Sequence, residues 1–356
     1  MERSPRKVNE IAAELGVSAV TARRDVDSLA SEGRLRRIHG SVMANAAQID
    51  EAPGPRATVG LILPDAEYYY GAVLQGARGA SVECGVRIVL GVSAYDPLME
   101  RRLAERLLDS GVDGLLIAPT PDYATGALRP EQQEWLTSLR VPVVLIERPV
   151  EAGGAAASLD RVESAHSAGA ATAVRHLAEL GHRRIALVAI AGPNTSQVRA
   201  GYRAAVAAMG IESAGEIDEG RPGSDEVADR IVDLVRGDVT ALVVHNDQLA
   251  VRVTTWLDGA GLETPRDVSI VCYDDVIAPL VQPALTAVAP QKRQVGDAAV
   301  RLIAGRISQS QQADSVSSDL PRAEHRSLVP ALHVRASSGA PRVDAPVSDR
   351  FDRIDR

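Results

Sequence analysis

Side chains that could bind DNA are grouped near the N-terminus. Thr21, Arg23 and Arg24 share the outward face of a predicted helix. A threonine hydroxyl can touch a base edge in the major groove, and an arginine guanidinium can reach a guanine or a backbone phosphate. Arg36 and Arg37 follow in a short basic segment and would add phosphate contacts. These residue types predict a contact with duplex DNA.

The elements that position these side chains are predicted from the apolar pattern. An apolar stripe predicts a helix over 8–15. A second helix begins after Ser18, a good N-cap residue, and ends near Gly33. Residues 34–43 are predicted to form a short, basic β-ribbon. A helix pair of this kind can be purely structural, so the DNA-binding interpretation depends on the arginines of both the second helix and the ribbon.

Charge is distributed unevenly along the chain. The 356 residues carry a net charge of −8, yet residues 1–40 hold eight Lys or Arg against six Asp or Glu. A mildly basic head on an acidic body suits a protein that binds phosphate at one end only. The two cysteines show no metal-ligand spacing, the first residues lack the apolar stretch of a signal peptide, and no apolar run is long enough to span a membrane. These features predict a cytoplasmic protein without a metal or cofactor.

From residue 58 onward, short apolar runs alternate with amphipathic helical segments. The runs suit strands that are covered on both faces, and they are 59–63, 86–92, 114–118, 143–146, 185–190, 241–244 and 268–272. Two successive sets of such units predict an α/β body of two lobes, each a doubly wound parallel sheet, behind the N-terminal helix-turn-helix.

These patterns predict the domain boundaries. The expected parts are a winged helix-turn-helix at 1–43, a linker at 44–57, the two-lobed body at 58–336 and a disordered tail at 337–356. Lobe 1 is expected to take about 58–150 and 289–306, and lobe 2 about 155–288 and 322–336.

The head resembles the winged helix of DeoR-type repressors. The matching stretches are 16–26 (GVSAVTARRDV) and 32–40 (EGRLRRIHG). The resemblance implies sequence-specific duplex binding by the second helix, with Arg37 and His39 in the wing. DeoR-type heads usually have another helix before the first one predicted here, so we expect the true start codon to lie upstream of Met1.

The body resembles the effector domains of the LacI/GalR family. The ordered matching stretches include 59–65 (VGLILPD), 111–119 (GVDGLLIAP), 141–148 (VPVVLIER), 199–203 (RAGYR) and 268–275 (VSIVCYDD). The resemblance implies a fold similar to periplasmic sugar-binding proteins, with the ligand in the cleft between the lobes.

The same resemblance implies the ligand-binding residues. Lobe 1 would contribute Tyr69, Tyr70, Glu147 and Arg148, and lobe 2 would contribute Arg199, Asn246 and Asp274. Planar donors and acceptors together with a flat apolar face suit a polyhydroxylated ring. The charged residues Arg199 and Asp274 could instead form salt bridges within one lobe.

Two other classes of function compete with a regulator. A sugar-processing or nucleotide-binding enzyme is disfavoured, since no G-x-G-x-x-G follows the first strand and no P-loop, H-E-x-x-H or G-x-S-x-G motif occurs. A secreted solute-binding protein would need a signal peptide. We therefore expect a non-enzymatic, homodimeric repressor that binds an inverted-repeat DNA operator and is controlled by a small-molecule effector such as a sugar. Relief of repression and co-repression both stay open.

Overall fold

The chain divides into two compact units, a head up to Arg56 and a body from Ala57. The computed structural model describes residues 6–14, 17–31, 35–38, 41–44, 56–123, 125–150, 153–219, 225–313 and 322–342. Within those ranges, no helix has the length and apolar character needed to cross a membrane.

The head contains two helices and a small antiparallel sheet. In chain order the elements are β1 (Arg6–Lys7), α1 (Val8–Glu14), α2 (Ala19–Ser31), β2 (Leu35–Ile38) and β3 (Ser41–Ala44). The strand order is β1-β3-β2. The predicted helix pair and ribbon are confirmed, and the sheet gains a third strand because β1 pairs with β3.

Local hydrogen bonding explains where α2 begins. The Ser18 hydroxyl oxygen accepts a hydrogen bond from the backbone N–H of Thr21 at 3.1 Å, which satisfies one of the free donors of the first turn. Ala12 of α1 and Ala22 and Val26 of α2 are buried, so the apolar faces of the two helices form the small core of the head.

Lobe 1 of the body has a six-stranded parallel sheet in the order β14-β8-β7-β6-β4-β5. Its strands are β4 (Ala57–Leu63), β5 (Val86–Val92), β6 (Gly114–Ile117), β7 (Val143–Ile146), β8 (Asp160–Ser164) and β14 (His325–Leu328). Its helices are α3 (Tyr70–Cys84), α4 (Pro97–Asp109), α5 (Pro130–Ser138) and α10 (Lys292–Ala313).

Lobe 2 has a second six-stranded sheet in the order β10-β9-β11-β12-β13-β15, parallel except for β15. Its strands are β9 (Arg184–Ala189), β10 (Glu212–Asp218), β11 (Ala241–Val244), β12 (Ser269–Tyr273), β13 (Thr286–Ala289) and β15 (Ala331–His333). Its helices are α6 (His166–Glu179), α7 (Thr195–Met209), α8 (Asp225–Arg236) and α9 (Asp247–Gly259).

Helices cover both faces of each sheet, which is why the central strands are continuous apolar runs rather than alternating ones. Helices α3 and α10 approach very closely on one face of lobe 1. A Cβ atom added at Gly76 would lie 1.9 Å from the carbonyl oxygen of Arg293, and one at Gly296 would lie 2.0 Å from that of Val73. The crossing therefore requires glycine at both positions.

The predicted lobe boundaries need correction at two strands. Residues 160–164 and 325–328 were assigned to lobe 2, but β8 and β14 extend the sheet of lobe 1. The Arg306 guanidinium of α10 donates to both carboxylate oxygens of Asp160, at 2.7 and 2.8 Å, and ties β8 to this lobe. The apolar pattern of a strand does not specify which sheet it joins.

The predicted tail also begins too early. Ser337 is buried and its hydroxyl accepts a hydrogen bond from the N–H of Thr286 at 2.8 Å, while its carbonyl accepts from the N–H of Ile270 at 2.7 Å. Residues 337–342 are therefore part of lobe 2. The rest of the predicted tail, 343–356, lies outside the described residues, as does most of the linker, 45–55.

Candidate functional site

A cavity of about 320 Å³ lies between the two lobes, at the carboxyl ends of their parallel strands. From lobe 1 it is lined by Tyr68, Tyr69, Tyr70, Tyr95, Tyr123, Glu147 and Arg148. From lobe 2 it is lined by residues 190–193 and by His166, Asn194, His245, Asn246, Gln248 and Asp274. Six of the seven predicted ligand-binding residues thus meet in one cavity.

Aromatic surface is concentrated on the lobe 1 side. The chain has seven tyrosines, and five of them line the cavity. The rings of Tyr69 and Tyr70 lie edge to face with centroids 5.3 Å apart, and Tyr70 is almost fully buried in the core. Tyr95 and Tyr123 keep exposed rings at the rim. Lobe 1 therefore offers flat apolar surface to a ligand.

Glu147 organises the centre of the cavity. It follows β7 with a left-handed φ of 53°, and its carboxylate accepts hydrogen bonds from the Tyr69 hydroxyl and from the N–H and hydroxyl of Ser164, each at 2.8 Å. The Nε2 atom of His166 lies 3.4 Å away. Burial raises the pKa of Glu147, but the bonds from His166, Ser164 and Tyr69 outweigh it and the net pKa is lowered. Glu147 is thus an ionised group whose acceptors are already used.

Arg148 is almost fully buried and is engaged by the protein itself. Its Nη1 atom donates to the Tyr70 hydroxyl at 3.0 Å and to the Glu147 carbonyl at 2.6 Å. Its Nε atom donates to the carbonyl of Pro119, and Nη2 lies 3.5 Å from the carbonyl of Ala118. The guanidinium therefore holds the strand ends of lobe 1 together.

Asp274 differs from the other charged groups of the cavity. It directly follows β12 with a φ of 82°, and its buried Oδ1 atom has no hydrogen-bond partner among the described residues. Burial raises the pKa of Asp274 to about 7, although the nearby Lys292 ammonium acts in the opposite direction. Lys292 donates to the Asp274 carbonyl, and its Nζ lies 5.2 Å from the centroid of the Tyr69 ring. Asp274 thus lines the cavity with a carboxyl group whose buried Oδ1 atom no donor of the described residues satisfies.

The amide and imidazole groups of lobe 2 form the opposite wall. Asn246 is the N-cap of α9 and accepts the N–H of Leu249 at 2.8 Å through its side-chain oxygen, so the cap does not require its amide N–H groups. His245 contacts the Ile190 carbonyl through Nδ1 at 2.9 Å and the Asn194 side-chain oxygen through Nε2 at 2.8 Å. Burial lowers the pKa of His245 to about 4, so it is neutral at pH 7.

One hydrogen bond crosses the cleft directly from Tyr68. The hydroxyl of Tyr68 donates to Asp247 at the start of α9. The other oxygen of Asp247 accepts the N–H groups of Val276 and Ile277 at 2.6 Å and that of Ala278 at 3.1 Å. Tyr68 therefore connects lobe 1 to the loop that follows β12.

The prediction for Arg199 does not match the structure, because its side chain is not among those that line the cavity. Its guanidinium is paired within lobe 2 with the carboxylates of Glu216 and Asp218. It lies on α7 beside β10, and those two acidic residues of the edge strand hold it there. The intralobe salt bridge weighed from the sequence is the arrangement found.

Several lining residues were missed from the sequence, notably Tyr95, His166, Asn194 and His245. No sequence motif marks these residues, but the position of some of them just after a strand could have identified them. His245 directly follows β11, and His166 comes two residues after β8 ends. His176 and His182, in contrast, make structural hydrogen bonds elsewhere in lobe 2.

The predicted DNA-contacting residues lie in the head. Thr21, Arg23 and Arg24 of α2 are exposed, as is the capping residue Ser18. Arg36 and Arg37 belong to strand β2, and His39 lies outside the described residues. In the described part of the chain, no group of three His, Cys, Asp or Glu side chains could hold a metal ion.

Family models match both parts of the chain. The model of the DeoR-like helix-turn-helix domain matches residues 4–48, and that of the periplasmic binding protein-like domain matches residues 174–338. The ribose operon repressor of Escherichia coli (strain K12) is 27% identical over 325 residues, 85% of this chain and 93% of that protein. Catabolite control protein A of Priestia megaterium is 27% identical over 290 residues, 79% of this chain and 83% of that protein.

The fold is also found in solved structures. A LacI family transcriptional regulator from Enterococcus faecium, solved with bound ribose, covers 80% of this chain and 99% of its own, with 23% sequence identity and a TM-score of 0.60. The chain thus combines a body that is similar to transcriptional regulators of the LacI family with a head that matches the DeoR-like helix-turn-helix domain.

Proposed function

We propose that this protein is a transcriptional repressor that binds operator DNA through its head and is controlled by a sugar bound between the lobes of its body. The observation that carries the proposal is the combination of parts in one chain. A DeoR-like helix-turn-helix is joined to a two-lobed domain whose cavity combines tyrosine rings with a carboxyl group and amide groups. A protein that binds an operator must be where the DNA is, so we expect a cytoplasmic location.

The DNA-binding part of the proposal rests on helix α2. Its exposed face carries Thr21, Arg23 and Arg24, while Ala22 and Val26 on the other face pack in the head. This division is what a recognition helix needs, since one side must be held by the protein while the other enters the major groove. Arg36 and Arg37 on β2 are expected to bind the phosphates beside it.

The effector part rests on the chemistry of the cavity and on the relatives. Tyrosine rings can stack on the apolar face of a sugar ring, while Asp274, Asn246 and Gln248 suit its hydroxyls. Two of the relatives also support a sugar effector, since one is named as a ribose operon repressor and another was solved with ribose.

A homodimer is the assembly that we expect, because an inverted-repeat operator requires two heads related by a twofold axis. Lobe 1 offers a surface for it. Strand β5 is at the edge of the sheet, and its Val89, Leu90 and Val92 are exposed, as are Leu98 and Met99 at the start of α4. Exposed apolar residues on an edge strand commonly mark an interface.

In this mechanism the effector changes DNA affinity by favouring one arrangement of the lobes over another. The contacts between the lobes at the cavity include those of Tyr68 with Asp247, Lys292 with the Asp274 carbonyl, and Glu147 with His166. A ligand in contact with both lobes would add to these bonds and shift the equilibrium between open and closed forms.

The test uses the full-length protein and DNA selected from a random duplex library. Binding of the selected duplex is measured by fluorescence anisotropy with and without each member of a panel of sugars. We expect selection of an inverted repeat and a change of at least about tenfold in affinity, 1.4 kcal/mol, with one sugar. Release by the sugar indicates an inducer, and tighter binding indicates a co-repressor. If selection yields no common sequence, the regulatory function is refuted.

A further inference from the structure

We propose that the effector of this cavity is an uncharged, polyhydroxylated ring, and that phosphorylated or acidic sugars are excluded because the cationic groups around the cavity are already engaged by the protein. The inference rests on the proposed function, since it assigns a chemical class to the ligand of the same cavity.

The arginines near the cavity are not available to an anion. Of the described residues that line the cavity, one is an arginine, Arg148. Its guanidinium donates to the Tyr70 hydroxyl and to the carbonyls of Pro119 and Glu147. Arg199 is held outside by two carboxylates of lobe 2. A site for phosphate or carboxylate normally presents an arginine fork to the ligand.

The remaining basic groups are also engaged. His245 is neutral at pH 7 and joins the Ile190 carbonyl to Asn194, and His166 faces Glu147. The Lys292 ammonium is buried, donates to the Asp274 carbonyl and lies over the Tyr69 ring.

The wall of the cavity does contain a carboxyl group, that of Asp274. Asp274 is 7% exposed, its Oδ1 atom has no partner, and the residue lines the cavity. A ligand hydroxyl can donate to this carboxylate, whereas a phosphate would lie beside a like charge, and the neighbouring Lys292 ammonium already donates to the Asp274 carbonyl.

A cationic ligand is disfavoured for a related reason. The two oxygens of Glu147 accept from Tyr69, Ser164 and His166, and those of Asp247 accept from Tyr68 and three backbone N–H groups. The carboxyl of Asp274, with a lysine beside it, suits a neutral donor better than an ammonium group.

The size and shape of the cavity also suit a neutral sugar ring. At about 320 Å³ the cavity is near the lower end of the range for small-molecule pockets, roughly 300–1,000 Å³. Tyrosine rings from lobe 1 face amide groups from lobe 2. A single ring with one apolar face and hydroxyls along its edge fits both walls.

The experiment compares matched ligands on the full-length protein by thermal shift and isothermal titration at pH 7.5. The probes are glucose, galactose, fructose and ribose, each with its terminal phosphate, together with gluconate, galacturonate and glucosamine. We expect at least one neutral sugar to bind, and its phosphorylated or acidic counterpart to bind at least about tenfold more weakly. An anionic probe that binds as tightly as its parent sugar would overturn the inference while leaving the regulatory function intact, and so would glucosamine if it bound more tightly than glucose. If no probe binds, both the inference and the assignment of a sugar effector are wrong, but the proposal that the head binds DNA still stands.

A variant of Asp274 tests whether this carboxyl causes the preference for neutral over phosphorylated sugars. Asp274→Asn keeps the size of the side chain and removes its charge, so we expect weaker binding of the neutral sugar and a narrower ratio between the sugar and its phosphate. The matched control is Glu105→Gln, which makes the same change at an exposed residue whose ion pair with Arg101 is on the surface of α4. An unchanged ratio in Asp274→Asn would contradict the role of this carboxyl.

Discussion

Effector binding should strengthen as the pH rises from 6 to 8, because the affinity depends on the ionisation of Asp274. Burial raises the pKa of this carboxyl to about 7 in the unliganded protein. A ligand hydroxyl that donates to this carboxylate favours the charged form, so binding lowers the pKa of Asp274 toward its ordinary value and releases a proton. Low pH therefore opposes binding, and high pH permits it.

The magnitude follows from the ionised fraction. With a pKa near 7, about 9% of the molecules carry a charged Asp274 at pH 6 and about 91% at pH 8, so the apparent affinity should rise about tenfold. At pH 7 about half a proton should be released for each ligand bound.

Titration calorimetry in buffers of different ionisation enthalpy measures both quantities, the affinity and the number of protons. Asp274→Asn is the control, because any slope that it retains comes from other ionisable groups of the protein. An affinity that is flat or falls between pH 6 and 8, or a slope that persists unchanged in Asp274→Asn, would refute the reasoning.

Further predictions concern stability and DNA binding. In the unliganded protein Asp274→Asn should raise the melting temperature at pH 8 relative to the wild type and lose the advantage near pH 4, because a raised pKa makes the native state less stable as the pH rises from about 4 to 7. Ser18→Ala should destabilise the head by about 0.5–2 kcal/mol in chemical denaturation, and an unchanged midpoint would mean that the cap contributes nothing. Arg23→Ala and Arg24→Ala should each weaken operator binding by about 1–3 kcal/mol for a base contact. A phosphate contact would instead weaken all sequences equally and reduce the salt dependence, and unchanged binding in both variants would rule out α2 as the recognition helix. Arg199→Ala should lower the melting temperature but leave sugar affinity unchanged, and loss of the sugar response would contradict its position outside the cavity.

The local elements were predictable from the sequence because their causes are local. The apolar periodicity of α1 and α2, together with the cap at Ser18, specified the helix pair, and the continuous apolar runs specified the central strands. The position of polar residues directly after those strands indicated where the cavity would form, since parallel strands bring their carboxyl ends to one edge. Glu147 and Asp274, which the resemblance assigned to the site, both directly follow such strands.

Tertiary structure decided which sheet each outer strand joined and which polar side chains were left unpaired. Strands β8 and β14 belong to lobe 1 because of pairing partners and an Arg306–Asp160 ion pair that are far apart in the sequence. Arg199 was assigned to the cleft by resemblance, yet two acidic residues of β10 hold it away. The buried Oδ1 atom of Asp274 is unsatisfied because no donor of the described residues reaches it. Periodicity and capping act within a few residues, whereas ion pairing and desolvation depend on distances that only the folded chain fixes.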